Sequence, residues 1–157
     1  MGLFDKLFKS NSNNDIVAVC DGEVVDVKGL SDKMFAEQMM GKTFAIEPSN
    51  GEIVSPVSGK IEALFPTSHA FGVRGEDGTG YLVHIGIDTV NLNGDGFTVL
   101  KKQDDVVKAG ETVVKVDLDK LKKTNPVTTM LIVTEPVAGK EYSFTATGKV
   151  SKGQKIN

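Results

Sequence analysis

Residues 81–89 read YLVHIGIDT, an apolar, strand-like segment that places His84 close to a glycine. Residues 66–72 read PTSHAFG and place His69, the other histidine of the chain, in a similar setting. Successive strand side chains point to opposite faces of a sheet, so two strands can present both rings to one pocket. A buried neutral imidazole can act as a nucleophile or a ligand at physiological pH, although a satisfied core histidine is the alternative. The two histidines are therefore the first candidates for a functional site.

Short β-prone segments extend on both sides of these motifs, and Gly, Pro, Asn and Asp separate them. Ten candidate strands cover residues 16–20, 23–27, 43–47, 60–65, 70–74, 81–85, 98–102, 112–116, 128–133 and 142–147. Helical signals are brief: Ser31 can cap a turn that runs to Ala36, and residues 118–123 form another before Pro126. This pattern predicts one all-β domain, a compact sandwich or barrel with short helical turns.

Composition and charge narrow the class of protein. The 157 residues are 39% apolar and 25% charged, which suits a single domain with a real core. The net charge of −3 provides no general positive electrostatic field that would attract nucleic acid. The single cysteine, Cys20, can form no intramolecular disulfide and cannot complete a Cys-rich zinc site with two histidines. No apolar run approaches the roughly 20 residues of a membrane span, and no secretory signal is visible, so we expect a cytoplasmic setting.

The N-terminal residues differ from the rest of the chain. Within residues 1–9, apolar side chains recur at helical spacing, and the polar run SNSNND follows at residues 10–15. We interpret residues 1–15 as a flexible amphipathic segment with a linker, and residues 16–157 as the domain. The segment either binds an anionic membrane surface weakly and reversibly or is a frayed terminus. The second alternative stays open because nine residues are marginal as a helix in water.

Internal repeats refine the architecture. Residues 20–24, 57–61 and 146–150 share a small-polar-Gly-charged-aliphatic unit, and residues 107–111 echo residues 150–154. Such units occur in lipoyl- and biotinyl-type folds and in the related duplicated hybrid barrel, where glycine permits a tight reversal between strands. The repeats favour a duplicated hybrid motif.

Several longer motifs match one family in order and spacing. They are HIGIDTV at residues 84–90 with Leu92, Gly94, Gly96 and Phe97 after it, PVSG at 56–59, TSHAF at 67–71, FAE at 35–37 and MGLFDKL at 1–7. On these motifs, essentially the whole chain resembles the glucose-type enzyme IIA of the bacterial phosphoenolpyruvate-dependent sugar phosphotransferase system. It departs from the family pattern at Cys20, where proline is frequent, and at Leu82, where an aromatic residue is common; both positions concern packing more than chemistry.

The resemblance implies a role for each residue of the site. His84 would accept a phosphoryl group, His69 would hydrogen-bond the phosphoryl oxygens, and Thr67 would hydrogen-bond the ring of His84 and set its tautomer. The group would come from the histidine-containing phosphocarrier protein and leave for the IIB domain of a sugar permease, with no cofactor. An imidazole nitrogen is a competent nucleophile and leaving group, and a second imidazole can donate to the phosphoryl oxygens without a metal.

The surroundings of the histidines are expected to bind partners. Asp88 can orient a partner or repel misplaced phosphate, or it can cap the turn that follows. An apolar rim that excludes water and docks partners is expected from Met34, Phe35, Met39, Met40, Phe65, Phe71 and Ile85. Plain core packing is the alternative for these side chains.

Other functions on similar folds fit less well. A lipoyl or biotinyl carrier needs a modifiable lysine, commonly between methionines, and the sequence has no Met-Lys-Met. A zinc peptidase needs a His-x-His pair, and Gly86 occupies the second position. A zinc ion held by His69 and His84 would require a carboxylate from a partner protein, since two ligands leave a tetrahedral site incomplete. A non-catalytic regulatory binding module is the remaining alternative.

Overall fold

The structure is a computed structural model that describes residues 15–157. Within these residues the strands pair antiparallel throughout. They are β1 (Gly22–Val25), β2 (Lys42–Pro48), β3 (Glu52–Val54), β4 (Gly59–Leu64), β5 (Ala70–Gly75), β6 (Gly80–Ile85), β7 (Phe97–Val99), β8 (Val106–Val107), β9 (Thr112–Val116), β10 (Thr129–Glu135) and β11 (Lys149–Val150). The helices are α1 (Lys33–Ala36), α2 (Leu118–Lys122) and two 3-10 turns, Val27–Gly29 and Thr89–Leu92. The all-β prediction is confirmed.

Two sheets build the domain. The larger sheet has the order β11-β1-β2-β10-β6-β5-β4-β8, and the smaller has the order β3-β9-β7. In the larger sheet, His84 of β6 pairs with Ala70 of β5 on one side and with Met130 of β10 on the other. The centre of this sheet therefore carries one of the two histidines.

The central strands are covered on both faces. Side chains on one face of β6 and β10, such as Val83, Ile85 and Leu131, belong to the main core together with residues of the small sheet. The alternate side chains Leu82 and Met130 join a second, smaller cluster. Because side chains alternate along a strand, these two clusters lie on opposite faces, and His84 shares the face of the smaller one.

Most sequence-predicted elements are present with shifted ends. The segment 16–20 is buried but forms only one isolated bridge, Val17 with Lys155, because its backbone bonds go to several different segments instead of one ladder. The segment 142–147 also lacks regular strand pairing, so both of these strand predictions are wrong. The structure adds three short strands that sequence analysis missed, namely β3, β8 and β11.

Aspartates cap both α-helices found within residues 15–157. Asp32, not Ser31, caps α1, with its carboxylate accepting from Met34 N at 2.9 Å. Asp117 caps α2 in the same way through Lys120 N. An Asp side chain satisfies one of the unpaired N–H groups in the first turn, as the hydroxyl of Ser31 was expected to do.

The predicted amphipathic segment and most of its linker, residues 1–14, lie outside the described residues, so the boundary at residue 15 stays a prediction.

The last described residues pack against the domain, since Val150 pairs with Gly22 of β1 and the buried Ile156 donates a backbone hydrogen bond to Ile16. Among residues 15–157, no helix has the length and apolar character needed to cross a membrane.

A chain of hydrogen bonds anchors the irregular segment before β11. Val137 N donates to the Tyr142 hydroxyl at 3.0 Å, that hydroxyl lies 2.5 Å from the buried Thr79 Oγ1, and Thr79 donates to Asp77.

We expect Tyr142→Phe to lower the free energy of unfolding by about 1–2 kcal/mol, because Val137 N loses its acceptor and Thr79 its donor. Urea denaturation measures this loss, and a change below about 0.5 kcal/mol would contradict the role of the network.

Candidate functional site

The two histidines meet at the junction of β5 and β6. His84 is the fifth residue of β6, and His69 directly precedes β5. The carbonyl of His69 accepts from Ile85 N at 2.8 Å, which ties the two segments together. The ring centroids are 4.9 Å apart, with the planes at 82°. The structure thus brings the sequence-predicted pair into edge-to-face contact.

One hydrogen bond sets the protonation of His84. Its Nδ1 lies 2.8 Å from the carbonyl oxygen of Gly86. A carbonyl can only accept, so the neutral ring carries its proton on Nδ1 and leaves the lone pair on Nε2. Burial, with a smaller contribution from His69, lowers the pKa of His84 to about 4, although the Gly86 carbonyl and the carboxylates of Asp32 and Asp88 act in the opposite direction. The ring is therefore neutral at physiological pH.

The carbonyl that orients His84 is itself held in place. Gly86 has a φ of +75°, which disfavours other residues. A Cβ atom there would lie 2.6 Å from Thr89 Cγ2 and 3.0 Å from the Pro126 carbonyl oxygen. In addition, Gly86 N donates to the Thr128 carbonyl at 3.0 Å. Glycine at this position is thus required both for the turn and for the close packing around it.

Thr67 bonds to His69 and not to His84. Thr67 Oγ1 lies 2.6 Å from Nδ1 of His69, whose ring is buried and meets the ring of Phe65 edge-on at 5.6 Å. The expected hydrogen bond from Thr67 to the ring of His84 is therefore wrong, since the Gly86 carbonyl already occupies Nδ1 of that ring. Burial lowers the pKa of His69, so this ring also favours the neutral form.

Some of the residues expected in the apolar rim are exposed. Met34, Met39 and Phe65 are 42%, 72% and 40% exposed, and Met40 is half-buried. Phe35 is buried, yet its ring lies 4.8 Å from that of His84 and forms one wall of the site.

Two rim predictions are wrong, and one rim candidate was missed. Phe71 and Ile85 are fully buried in the main core, because each neighbours a residue, Ala70 or His84, whose side chain takes the opposite face of the strand. Sequence reasoning missed the exposed Val90. The sequence signal for an exposed Val90 was its position two residues after Asp88, in the segment that follows His84.

Asp88 is exposed and has a left-handed backbone with a φ of +59°. It precedes the 3-10 turn Thr89–Leu92, but its side chain makes no capping hydrogen bond, so the capping alternative is not realised. Across the described chain, no group of three or more His, Cys, Asp or Glu is placed to hold a metal ion. The carboxylate of Asp88 acts on His84 through its charge, which favours the protonated ring.

Fold and site together define an antiparallel β domain that brings two imidazoles into contact, with the lone pair of the neutral His84 ring on Nε2. Residues 14–138 match the family model described as phosphoenolpyruvate-dependent sugar phosphotransferase system, EIIA 1. The chain belongs to this family.

Individual relatives agree with the family match. The glucose-specific EIIA component of the phosphotransferase system from Mycoplasma capricolum is 38% identical over 146 residues, 93% of this chain and 95% of the relative. The solved structure of glucose permease IIA from Mycoplasma capricolum superposes with a TM-score of 0.86, at 38% identity, covering 94% of this chain and 96% of that one. A glucose-specific EIICBA component from Staphylococcus carnosus is 40% identical over 141 residues, and the chain spans 21% of its length.

The low pKa of His84 links stability to pH. Its folded-state pKa of about 4 lies below the value near 6.5 of an unfolded histidine, so the unfolded chain binds more protons between these two values. The stabilisation is complete above about pH 6.5 and is lost as the pH falls toward 4, by up to about 3 kcal/mol. Denaturation of the wild type and of His84→Gln at several pH values tests this. Equal pH slopes for the two proteins would contradict a buried neutral His84.

Proposed function

We propose that this protein is a phosphoryl carrier of the sugar phosphotransferase system and that Nε2 of His84 is the atom that carries the group. The observation that supports this most directly is the Nδ1–H bond from His84 to the Gly86 carbonyl, which leaves Nε2 with a free lone pair. On acceptance, a phosphorus–nitrogen bond to Nε2 of His84 forms as the bond to the donor imidazole breaks. On onward transfer, the bond to His84 breaks as a bond to the nucleophile of the acceptor forms, and the lone pair returns to Nε2. Catalysis is then mostly positioning and charge stabilisation.

His69 would stabilise the phosphoryl group during transfer. If the hydroxyl of Thr67 donates to Nδ1 of His69, the proton of the neutral ring resides on Nε2. That N–H would then donate to a phosphoryl oxygen on His84, since the two rings are 4.9 Å apart. A preorganised donor in a site with little water stabilises the charge of the transferred group. Thr67 therefore orients His69, and His69 assists His84.

The partners follow from the family and from the rim. We assign the histidine-containing phosphocarrier protein as donor and the IIB domain of a glucose-type sugar permease as acceptor, and the EIICBA relative supports the second assignment. The exposed side chains of Met34, Met39 and Phe65 would dock against both and exclude water from the labile phosphohistidine. Asp88 would contact a basic group of the partner. From these proposed exchanges we infer a cytoplasmic location.

Substitutions of the two histidines should separate acceptance from onward transfer. We expect His84→Ala to take up no phosphoryl group, because it lacks the nucleophile. We expect His69→Gln to accept the group but to pass it on roughly 100-fold more slowly, because a donor aimed at the phosphoryl oxygens is altered. Intact mass measures uptake after incubation with phosphoenolpyruvate, enzyme I and the phosphocarrier, and quench-flow with a IIB domain measures transfer.

The controls for this experiment distinguish the alternatives. The added mass must be acid-labile, as a phosphoramidate is, and absent from His84→Ala. No mass change with active upstream proteins would favour a regulatory binding module on the same fold. Equal losses in both steps for His69→Gln would contradict the division of roles between the histidines.

Thr67 offers a second test of the same arrangement. We expect Thr67→Val, which removes the hydroxyl with little change in shape, to slow onward transfer roughly tenfold, because His69 then samples both tautomers. Thr67→Ser is the matched control and should remain near the wild-type rate. The ¹⁵N chemical shifts of the His69 ring report the tautomer directly. A Thr67→Val protein with wild-type transfer would show that the hydrogen bond to His69 is dispensable.

A further inference from the structure

Ser68 lies between the two partners of a site hydrogen bond, Thr67 and His69, and has a left-handed backbone with a φ of +62°. In residues other than glycine this conformation brings Cβ close to the following carbonyl oxygen, so it is uncommon. Such residues persist where the surrounding structure holds them, and they concentrate at functional sites. The position of Ser68 beside the histidine pair therefore suggests a function for its conformation.

The hydrogen bond between Thr67 and His69 depends on this conformation. In an extended strand, side chains two residues apart are separated by roughly 7 Å, since each residue rises about 3.3 Å. Here Thr67 Oγ1 and His69 Nδ1 are only 2.6 Å apart. The left-handed residue between them turns the backbone, so that the side chains of Thr67 and His69 come within hydrogen-bond distance of each other.

Neighbouring contacts hold the turn in this shape. Ser68 N donates to the Phe65 carbonyl at 2.8 Å, and Phe65 N donates to the Ala70 carbonyl at 3.2 Å. Just beyond the turn, the His69 carbonyl accepts from β6. The loop at Gly94 packs alongside, since a Cβ atom built there would lie 3.9 Å from Ser68 Oγ. The hydrogen bonds of Phe65 and His69 thus fix the chain before and after Ser68, and the Gly94 loop packs against its side chain.

We propose that Ser68 is a positioning residue whose left-handed backbone pairs Thr67 with His69 and so selects the His69 tautomer that meets the phosphoryl group. This inference rests on the proposed phosphoryl-carrier function and deepens it. Ser68 acts through His69, while the lone pair of His84 is set separately by the Gly86 carbonyl. Its conformation therefore affects onward transfer much more than acceptance.

Two substitutions at Ser68 separate backbone conformation from side-chain size. Valine is β-branched and disfavours the left-handed region, whereas asparagine is larger than serine and adopts it readily. We expect Ser68→Val to slow onward transfer about tenfold, to change acceptance by less than twofold, and to give the His69 ring ¹⁵N shifts of mixed tautomers. Ser68→Asn should stay within twofold of the wild type in all three measurements.

A control outside the site accounts for general strain. Asp104, in the loop before β8, also has a left-handed backbone, with a φ of +73°. Its side chain makes an exposed ion pair with Lys60, and such pairs contribute little to stability. Asp104→Val should lower the melting temperature by about as much as Ser68→Val while transfer and the His69 shifts remain those of the wild type.

The outcomes distinguish a failure of the phosphoryl-carrier function from a failure of the positioning role of Ser68. A wild-type protein that takes up no phosphoryl group refutes the carrier function, and the His69 shifts in Ser68→Val still report whether Ser68 sets the tautomer. Wild-type transfer and wild-type shifts in Ser68→Val would overturn the positioning role. Equal slowing in Ser68→Val and Ser68→Asn would overturn it as well, because the serine hydroxyl, and not the backbone, would then be responsible.

Discussion

Side-chain alternation along the central strand β6 is the constraint on which the rest of the molecule depends. Val83 and Ile85 face the main core, and this places Leu82 and His84 on the opposite face. A shift of one residue in register would turn the imidazole toward the main core and move Val83 and Ile85 out of it. Because Val83 and Ile85 are fully buried in their present positions, such a shift is strongly disfavoured. The packing of the sandwich therefore also sets the position of the site.

Within that framework, backbone carbonyls and burial control the chemistry without a dedicated charged residue. The Gly86 carbonyl holds one nitrogen of His84, and burial keeps the ring neutral, so the other nitrogen has a lone pair at physiological pH. A histidine paired with a carboxylate would instead be held in its charged form. The site thus depends on the unusual turn at Gly86, whose conformation other residues disfavour.

The two halves of the site are built differently. His84 is oriented by the backbone that follows it, whereas His69 is oriented by a side chain, Thr67, through a strained turn at Ser68. In the proposed function, a phosphoryl group on His84 must be stable enough to persist between partners and labile enough to leave. On that proposal, a hydrogen bond that orients His69 alone would let His69 assist the leaving step without changing His84. The exposed side chains of Met34 and Met39 belong to the surface that we propose for docking partners.

The amino-acid sequence alone determined the all-β class, eight of the strands, the histidine pair and the family, since these follow from short-range periodicity and from motifs that are contiguous in the chain. Only the tertiary structure decided that Thr67 bonds to His69, that Phe71 and Ile85 face the core, and that residues 16–20 form no regular strand. The physical reason is that hydrogen-bond partners and buried faces depend on register between distant strands and on single left-handed residues such as Ser68. Neither leaves a periodic signal in the sequence.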